Sequence, residues 1–318
     1  MSRFDVEVSP LDEAARAGWL YYIGGMTQDQ IATSLGVSRQ RAQRLVARAM
    51  AEGLIRVRLD HKIGSCLRLE DELSRRFGLT ECRVAPAMGA SLDPARSIAV
   101  TAAEVFEQFL AQPEPMVIGV GTGRALRAMA DELQPMSGTR HRFVSLIGNI
   151  ASDGSASFYD VILKVAEKLQ SAHYPMPVPV ISDSVAEREA FHALKPVQAV
   201  LALARGAGAL MVGVGQMGAD APLLKDGFIT AAEMAEAQAM GAVGEVVGNI
   251  FDADGCYLNS EITARMGGVR IEPGLARPAV GIAGGASKVP AILGALRGRI
   301  INGLITDETT AEALLAQS

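Results

Sequence analysis

Between residues 11 and 50, apolar positions recur every three or four residues and are interrupted twice by short polar turns. In residues 11–23, Ala15, Trp19, Leu20 and Ile23 share helical spacing and are expected to face a core. Thr27 then offers a helix cap, with Gln30 three residues on to complete a capping box. Ile31, Ala32 and Leu35 form the apolar face of a second helix, Gly36 permits the positive φ of a tight turn, and Val37 fills the space beneath it. Ser38 caps a third helix in which Ala42, Leu45, Val46 and Ala49 share one face. The opposite face carries Arg39, Gln40, Gln43, Arg44, Ala47 and Arg48. Gly53 ends this helix, and LIRVRL at 54–59 alternates apolar and basic residues as a half-buried strand does, with Arg56 and Arg58 outward. Two short helices around a tight turn, followed by a basic strand, outline a winged helix-turn-helix over residues 1–62.

Residues 63–80 follow as an amphipathic connecting helix, with Leu67, Leu69, Leu73 and Phe77 in register and a stop at Gly78. It either pairs two subunits or packs on the next domain. From residue 83 the period changes. Continuous apolar runs at 83–87, 117–121, 143–148, 178–182, 209–215, 243–251, 279–284 and 303–306 alternate with helical spacing at 95–110, 124–133, 158–171, 230–240 and 288–296. Such alternation predicts an α/β domain over residues 63–318, a mainly parallel, doubly wound sheet covered on both faces. Ligands bind such sheets beyond the carboxyl ends of the strands.

Five strand ends carry candidate chemistry. In IGVGTGRAL, Gly121, Thr122, Gly123 and Arg124 form a glycine-rich turn into a helix, where free N–H groups favour an anion. The motif matches neither Walker A nor GxGxxG, and a plain tight turn explains it equally well. VGQMG brings Gln216, GNIFDADG brings Asp252, and GIAGGASKVPAI places Lys288 in a first helical turn, where a cation opposes the helix dipole. In LITDETT, Asp307 is either an N-cap or a hydroxyl acceptor. DADG lacks the spacing of a calcium loop. Cys66, Cys82 and Cys256 and the four histidines form no metal pattern, so no metal or cofactor is expected.

The net charge of −5 argues against a nucleic-acid partner until its distribution is considered. Residues 38–62 hold seven basic side chains (Arg39, Arg41, Arg44, Arg48, Arg56, Arg58 and Lys62) against Glu52 and Asp60. That patch coincides with the helix-turn-helix, and Arg and Gln are suited to base edges in a major groove. Double-stranded DNA is the expected partner, contacted by Ser38, Arg39, Gln40, Gln43, Arg44, Arg48, Arg56 and Arg58. The N-terminus lacks an apolar signal core, and the apolar stretch at 197–215 is broken by Arg205 and glycines, so no membrane span and a cytoplasmic location are expected.

Taken in order, MTQDQIATSLGVSRQRAQRLVARAMAEGLI, GVGTGRAL, ALMVGVGQMG, GAVGEVVGNIFDADG, GIAGGASKVPAILGAL and LITDETTAEALL resemble the SorC family of bacterial sugar-responsive regulators over nearly the whole chain. The resemblance implies a fold similar to glucosamine-6-phosphate deaminase and ribose-5-phosphate isomerase. It also implies a sugar, polyol or sugar-phosphate effector, and homodimers or homotetramers. By the same match, Thr122, Gly123 and Lys288 would contact an effector's phosphate. Where members carry a second small hydroxyl residue, this chain has Arg124 and then Ala125, which keeps a free polyol or sugar beside a phosphate as effector. The sequence also admits two other readings. One is a sugar-phosphate isomerase or deaminase with an appended head, using Asp183, Asp252 or Asp307 as base. The other is a sensor whose helix-turn-helix only dimerises.

Overall fold

The computed structural model describes residues 9–55, 63–87, 93–134, 136, 140–151, 153–155 and 161–317. The chain divides into two compact units, Met1–His61 and Lys62–Ser318. The first holds α1 (Pro10–Tyr22), α2 (Gln28–Leu35) and α3 (Arg39–Ala51). Thr27 and Gln30 form the expected reciprocal cap, the Thr27 N–H donating to Gln30 Oε1 at 2.8 Å. Gly36 turns the chain at φ 66°, and the Arg41 N–H donates to Ser38 Oγ at 3.3 Å. The core consists of Ala14, Ala17, Ile31, Ala32, Ala42, Leu45, Val46 and Ala49.

One expectation fails on α1. Trp19 and Ile23 are 61% and 65% exposed, while Ala14, Ala17 and Gly18 are buried. The reason is closeness: a Cβ on Gly18 would lie 2.8 Å from the Ala49 Cβ. The small-residue face admits α3, and the bulky face is left outside. The wing residues Arg56 and Arg58 lie outside the described residues.

The second unit starts with α4 (Gly64–Phe77) and β1 (Glu81–Ala85). It continues with α5 (Pro94–Leu110), β2 (Val117–Val120), α6 (Arg124–Glu132), β3 (Arg142–Ile150), α7 (Ile162–Leu169) and β4 (Ala172–Pro179). After α8 (Val185–His192) and α9 (Lys195–Arg205) come β5 (Ala209–Gly213) and β6 (Gly215–Gln216). Next are α10 (Pro222–Lys225), α11 (Ala231–Ala239), β7 (Gly244–Val246), β8 (Asn249–Phe251) and α12 (Glu261–Arg265). The chain closes with β9 (Ala279–Ile282), α13 (Val289–Arg297), β10 (Gly303–Asp307) and α14 (Glu308–Ala316).

Seven strands form a parallel sheet in the order β1-β10-β9-β5-β2-β3-β4. Alternate strand residues serve two cores. Ile118, Val120, Phe143, Met211, Val280 and Ile305 pack with α5, α6 and α7. Val144, Leu146, Leu210, Val212, Ala279 and Leu304 pack on the other face with residues of α4, α9, α13 and α14. The chain runs outward through β2, β3 and β4, then returns to place β5 on the other side of β2. That reversal makes the β2–β5 crevice the topological switch point.

Residues 243–251 read in sequence as one strand of this sheet. They fold instead into the β7–β8 hairpin, which joins β6 in a small antiparallel sheet. Glycines at 244 and 248 explain the break. A Cβ at either would collide with Phe251 or Met266, so neither position tolerates an ordinary strand residue.

The best-buried aromatic pair anchors the α5 side: Phe106 and Phe143 are fully buried and stacked, centroids 5.8 Å apart. Replacing Phe143 by Ala is expected to cost about 3–5 kcal/mol of stability, checked by urea denaturation of the full chain.

Candidate effector pocket and DNA-reading helix

A cavity of about 150 Å³ opens at the switch point. Its floor is the turn after β2. The Gly121 N–H donates to Met211 O at 2.8 Å, which ties that turn to β5. Gly123 then takes φ 117° and starts α6 with no side-chain cap, leaving the first N–H groups of the helix to whatever occupies the cavity. Across the crevice, a Cβ on Gly213 would lie 3.1 Å from Thr122 O, so the two strand ends approach as closely as a glycine allows.

Lys288 reaches in from the end of β9. Its Nζ donates to Val214 O at 2.9 Å. Burial holds its pKa below the ordinary lysine value, with nearby Arg124 adding to the effect and Glu245 opposing it. Glu245 enters from β7, paired in register with Gly215 of β6. Burial pushes its carboxyl above the usual range, while the Gly248 N–H, donating to Oε2 at 2.7 Å, and Lys288 pull the other way. Desolvation therefore weakens charge on both partners at once. A rim follows β6: Asp220, Pro222, Leu223, Lys225, Asp226 and Phe228 also line the cavity. Lys225 and Asp220 form an exposed ion pair at 2.6 Å. Three cations (Arg124, Lys225, Lys288) thus face three carboxylates (Asp220, Asp226, Glu245), an inventory suited to a small polar ligand with hydroxyls or one anionic group.

Of the sequence candidates, Gly121, Thr122, Gly123, Arg124 and Lys288 line this cavity. Gln216, Asp252 and Asp307 do not. Gln216 is buried in β6 and accepts the Gly218 N–H. Asp252 accepts the N–H groups of Asp254 and Cys256 at 3.0 and 2.9 Å and shapes a turn. Asp307 both caps α14, accepting the Thr310 N–H at 2.9 Å, and accepts the Thr310 hydroxyl at 2.6 Å. That hydroxyl takes the Gly285 N–H at 2.7 Å, so Asp307 knits the ends of β9 and β10 together. Glu245 and the rim residues were missed. Glu245 lies in a run with the apolar pattern of a plain strand, and the rim carries only scattered charges around Pro222 and Gly227.

On α3, Ser38, Arg39, Gln40, Gln43, Arg44 and Arg48 are all exposed. Arg39 pairs with Asp29 of α2 at 3.3 Å, Arg41 with Glu13 of α1 at 2.8 Å, and Arg48 with Glu52 at 3.6 Å. Among the described residues, no ion pair holds Arg44. Gln40, Arg44 and Ala47 stand opposite the buried row of Ala42, Leu45, Val46 and Ala49 and form the outer ridge of the helix. Among the described residues, no cluster of His, Cys, Asp and Glu has a metal-holding arrangement, and no helix is long and apolar enough to cross a membrane.

A capped helix-turn-helix with a basic outer ridge, joined to a doubly wound sheet with a polar switch-point cavity, defines a DNA-binding regulator governed by a small metabolite. Comparison with known proteins agrees. Residues 61–316 match the sugar-binding domain family Sugar-bind, and residues 16–62 match the MarR family. The chain is 36% identical over 304 residues to the erythritol catabolism regulatory protein EryD of Brucella abortus, covering 96% of each. It is 35% identical over 310 residues to the transcriptional regulator LsrR of Klebsiella pneumoniae, covering 95% of this chain and 92% of that one. The full-length sorbitol operon regulator SorC of Klebsiella pneumoniae superposes with a TM-score of 0.70 at 26% identity, covering 96% and 99% of the two chains. The chain belongs to the SorC family of sugar-responsive transcriptional regulators.

One substitution tests the pocket without touching its charges. A Cβ on Gly215 would press on the Glu245 carboxylate. Gly215→Ala is therefore expected to displace Glu245 and to weaken effector binding in calorimetry, with circular dichroism unchanged.

Proposed function

We propose that this protein controls transcription of a polyol or sugar catabolic operon in the cytoplasm. A sugar, polyol or sugar phosphate binds the switch-point cavity, and α3 reads operator DNA. In this reading residues 1–62 are the DNA-binding domain, and residues 63–318 bind the effector and assemble the homodimer or homotetramer. Two half-sites of an operator call for two heads, which favours an assembly over a monomer. The carrying observation is the pairing in one chain of an exposed, Ser38-capped basic helix with a cavity whose floor is an uncapped helix N-terminus. The relatives' names point the same way: EryD regulates erythritol catabolism and SorC a sorbitol operon, both polyols.

Gln40, Gln43 and Arg44 are assigned to bases, Arg39 and Arg48 to bases or phosphates, and Ser38 to the helix cap and a backbone phosphate. Arg56 and Arg58 extend the phosphate contact. In the cavity, the Gly121–Arg124 turn and Lys288 hold the anionic or most polar end of the effector, and Glu245 accepts its hydroxyls. We assign no catalysis. Asp183, Asp252 and Asp307, the bases an isomerase would draw on, all lie outside the cavity lining. An effector shifts DNA binding only as far as its affinity differs between the two states of the assembly.

Footprinting on DNA upstream of the protein's own gene, with and without polyols and sugar phosphates, tests the reading. A protected site that responds to one of them is expected, and absence of any site-specific protection counts against it. Arg44→Ala is expected to lose about 1–3 kcal/mol of operator affinity, read by gel shift.

The pocket also predicts a pH dependence. Lys288 must be protonated to meet an anion, and its pKa lies below the usual lysine value. Affinity for a phosphorylated effector should fall as pH rises through that lowered value. Affinity for a free polyol should not follow it. Calorimetry over a pH series separates the two, and Lys288→Ala should flatten the phosphate profile.

A further inference from the structure

The hairpin between β7 and β8 contains a residue that its own backbone disfavours. Val246 pairs with Asn249, so the loop is Val247 and Gly248 alone. Both have positive φ, 53° and 74°. That is the sign pattern of a type I′ turn, which selects sequences such as Asn-Gly. Gly248 suits it twice over, since a Cβ there would also lie 2.5 Å from Met266 Sδ. Val247 does not suit it: a β-branched side chain at positive φ crowds its own backbone and persists only where the surroundings impose it, often at a ligand site.

The side chain of Val247 is 7% exposed and lines the effector cavity with Ile147 and Val180. These three make an apolar stretch of wall from β3, the segment after β4 and the hairpin tip, whereas Arg124 and Lys288 follow β2 and β9. Each carbonyl of this wall already accepts one hydrogen bond. Ile147 O accepts the Ser145 hydroxyl at 2.9 Å, Val247 O accepts Asn249 Nδ2 at 3.0 Å, and Val180 O accepts the Gly267 N–H at 3.0 Å. A ligand hydroxyl pressed against this wall would lose its water and gain little in return. A methylene or methyl group would gain from burial.

We propose that Val247 sets effector specificity, closing the apolar end of the cavity and selecting a sugar, polyol or sugar phosphate that presents a deoxy or methyl carbon to it. This rests on the regulator reading above and narrows its ligand class. The strained turn is retained because Asn, which the backbone prefers, would offer polar groups where the wall excludes them.

Two matched ligand pairs test this on the full chain: erythritol against 1-deoxyerythritol, and ribose 5-phosphate against 2-deoxyribose 5-phosphate. Each is titrated by calorimetry into the native protein and into Val247→Asn. In whichever pair binds, the deoxy member should bind the native protein more tightly, by roughly 5–150-fold for one unpaired hydroxyl. In Val247→Asn that preference should collapse towards unity, while the melting temperature of the ligand-free protein holds or rises. Equal or tighter binding of the hydroxylated member, or a preference unchanged in the variant, would overturn the proposal. So would a protein that binds its operator yet neither pair, and in that case the regulator reading survives. Loss of site-specific DNA binding with every ligand sinks that reading instead. A variant that melts lower with its ligand preference intact marks Val247 as a packing residue and also overturns the proposal. Val247→Ala, which retains an apolar wall, should keep the deoxy preference at reduced affinity.

Discussion

The effector unit depends on one topological fact: β5 returns to the opposite side of β2 from β3. Helices cover both faces of the parallel sheet, so its chemistry is confined to the strand ends. Between β9 and β10 the chain closes over itself through Asp307, Thr310 and Gly285. Between β2 and β5 the following segments diverge, one into α6 and the other into β6. The cavity sits there. Its floor is backbone, its sides are the few long side chains able to span neighbouring strand ends, and Lys288 reaching Val214 O is the clearest of them.

Burying opposite charges in a small cavity has an electrostatic cost that the fold does not fully offset. Lys288 and Glu245 sit near enough to influence one another, yet desolvation dominates both and drives each towards neutrality. Desolvation disfavours charge on both groups, and their mutual attraction opposes it. An anion beside Lys288 favours its ammonium form, and the Glu245 carboxyl can accept a ligand hydroxyl.

The helix-turn-helix was legible because its information is local. Thr27, Gly36 and Ser38 each determine a dihedral or a cap within three residues. The switch-point turn was legible for the same reason, through Gly121 and Gly123. What escaped depends on distant partners. Trp19 has core spacing, but the face of α1 that packs is decided by how close α3 can come at Gly18 and Ala49. Glu245 looks like an ordinary strand residue until the hairpin folds it beside Gly215. Asp252 and Gln216 had the right residue type at a strand end, and their own neighbours claimed them.

Trp19 is the sole tryptophan of the chain, and it lies on the outer face of the DNA-reading unit. The pocket unit contains none. Tryptophan emission, excited at wavelengths the tyrosines of the pocket unit do not absorb, therefore reports on the head. A change in that emission when a sugar is added would be communication between the units, read optically and without any attached dye.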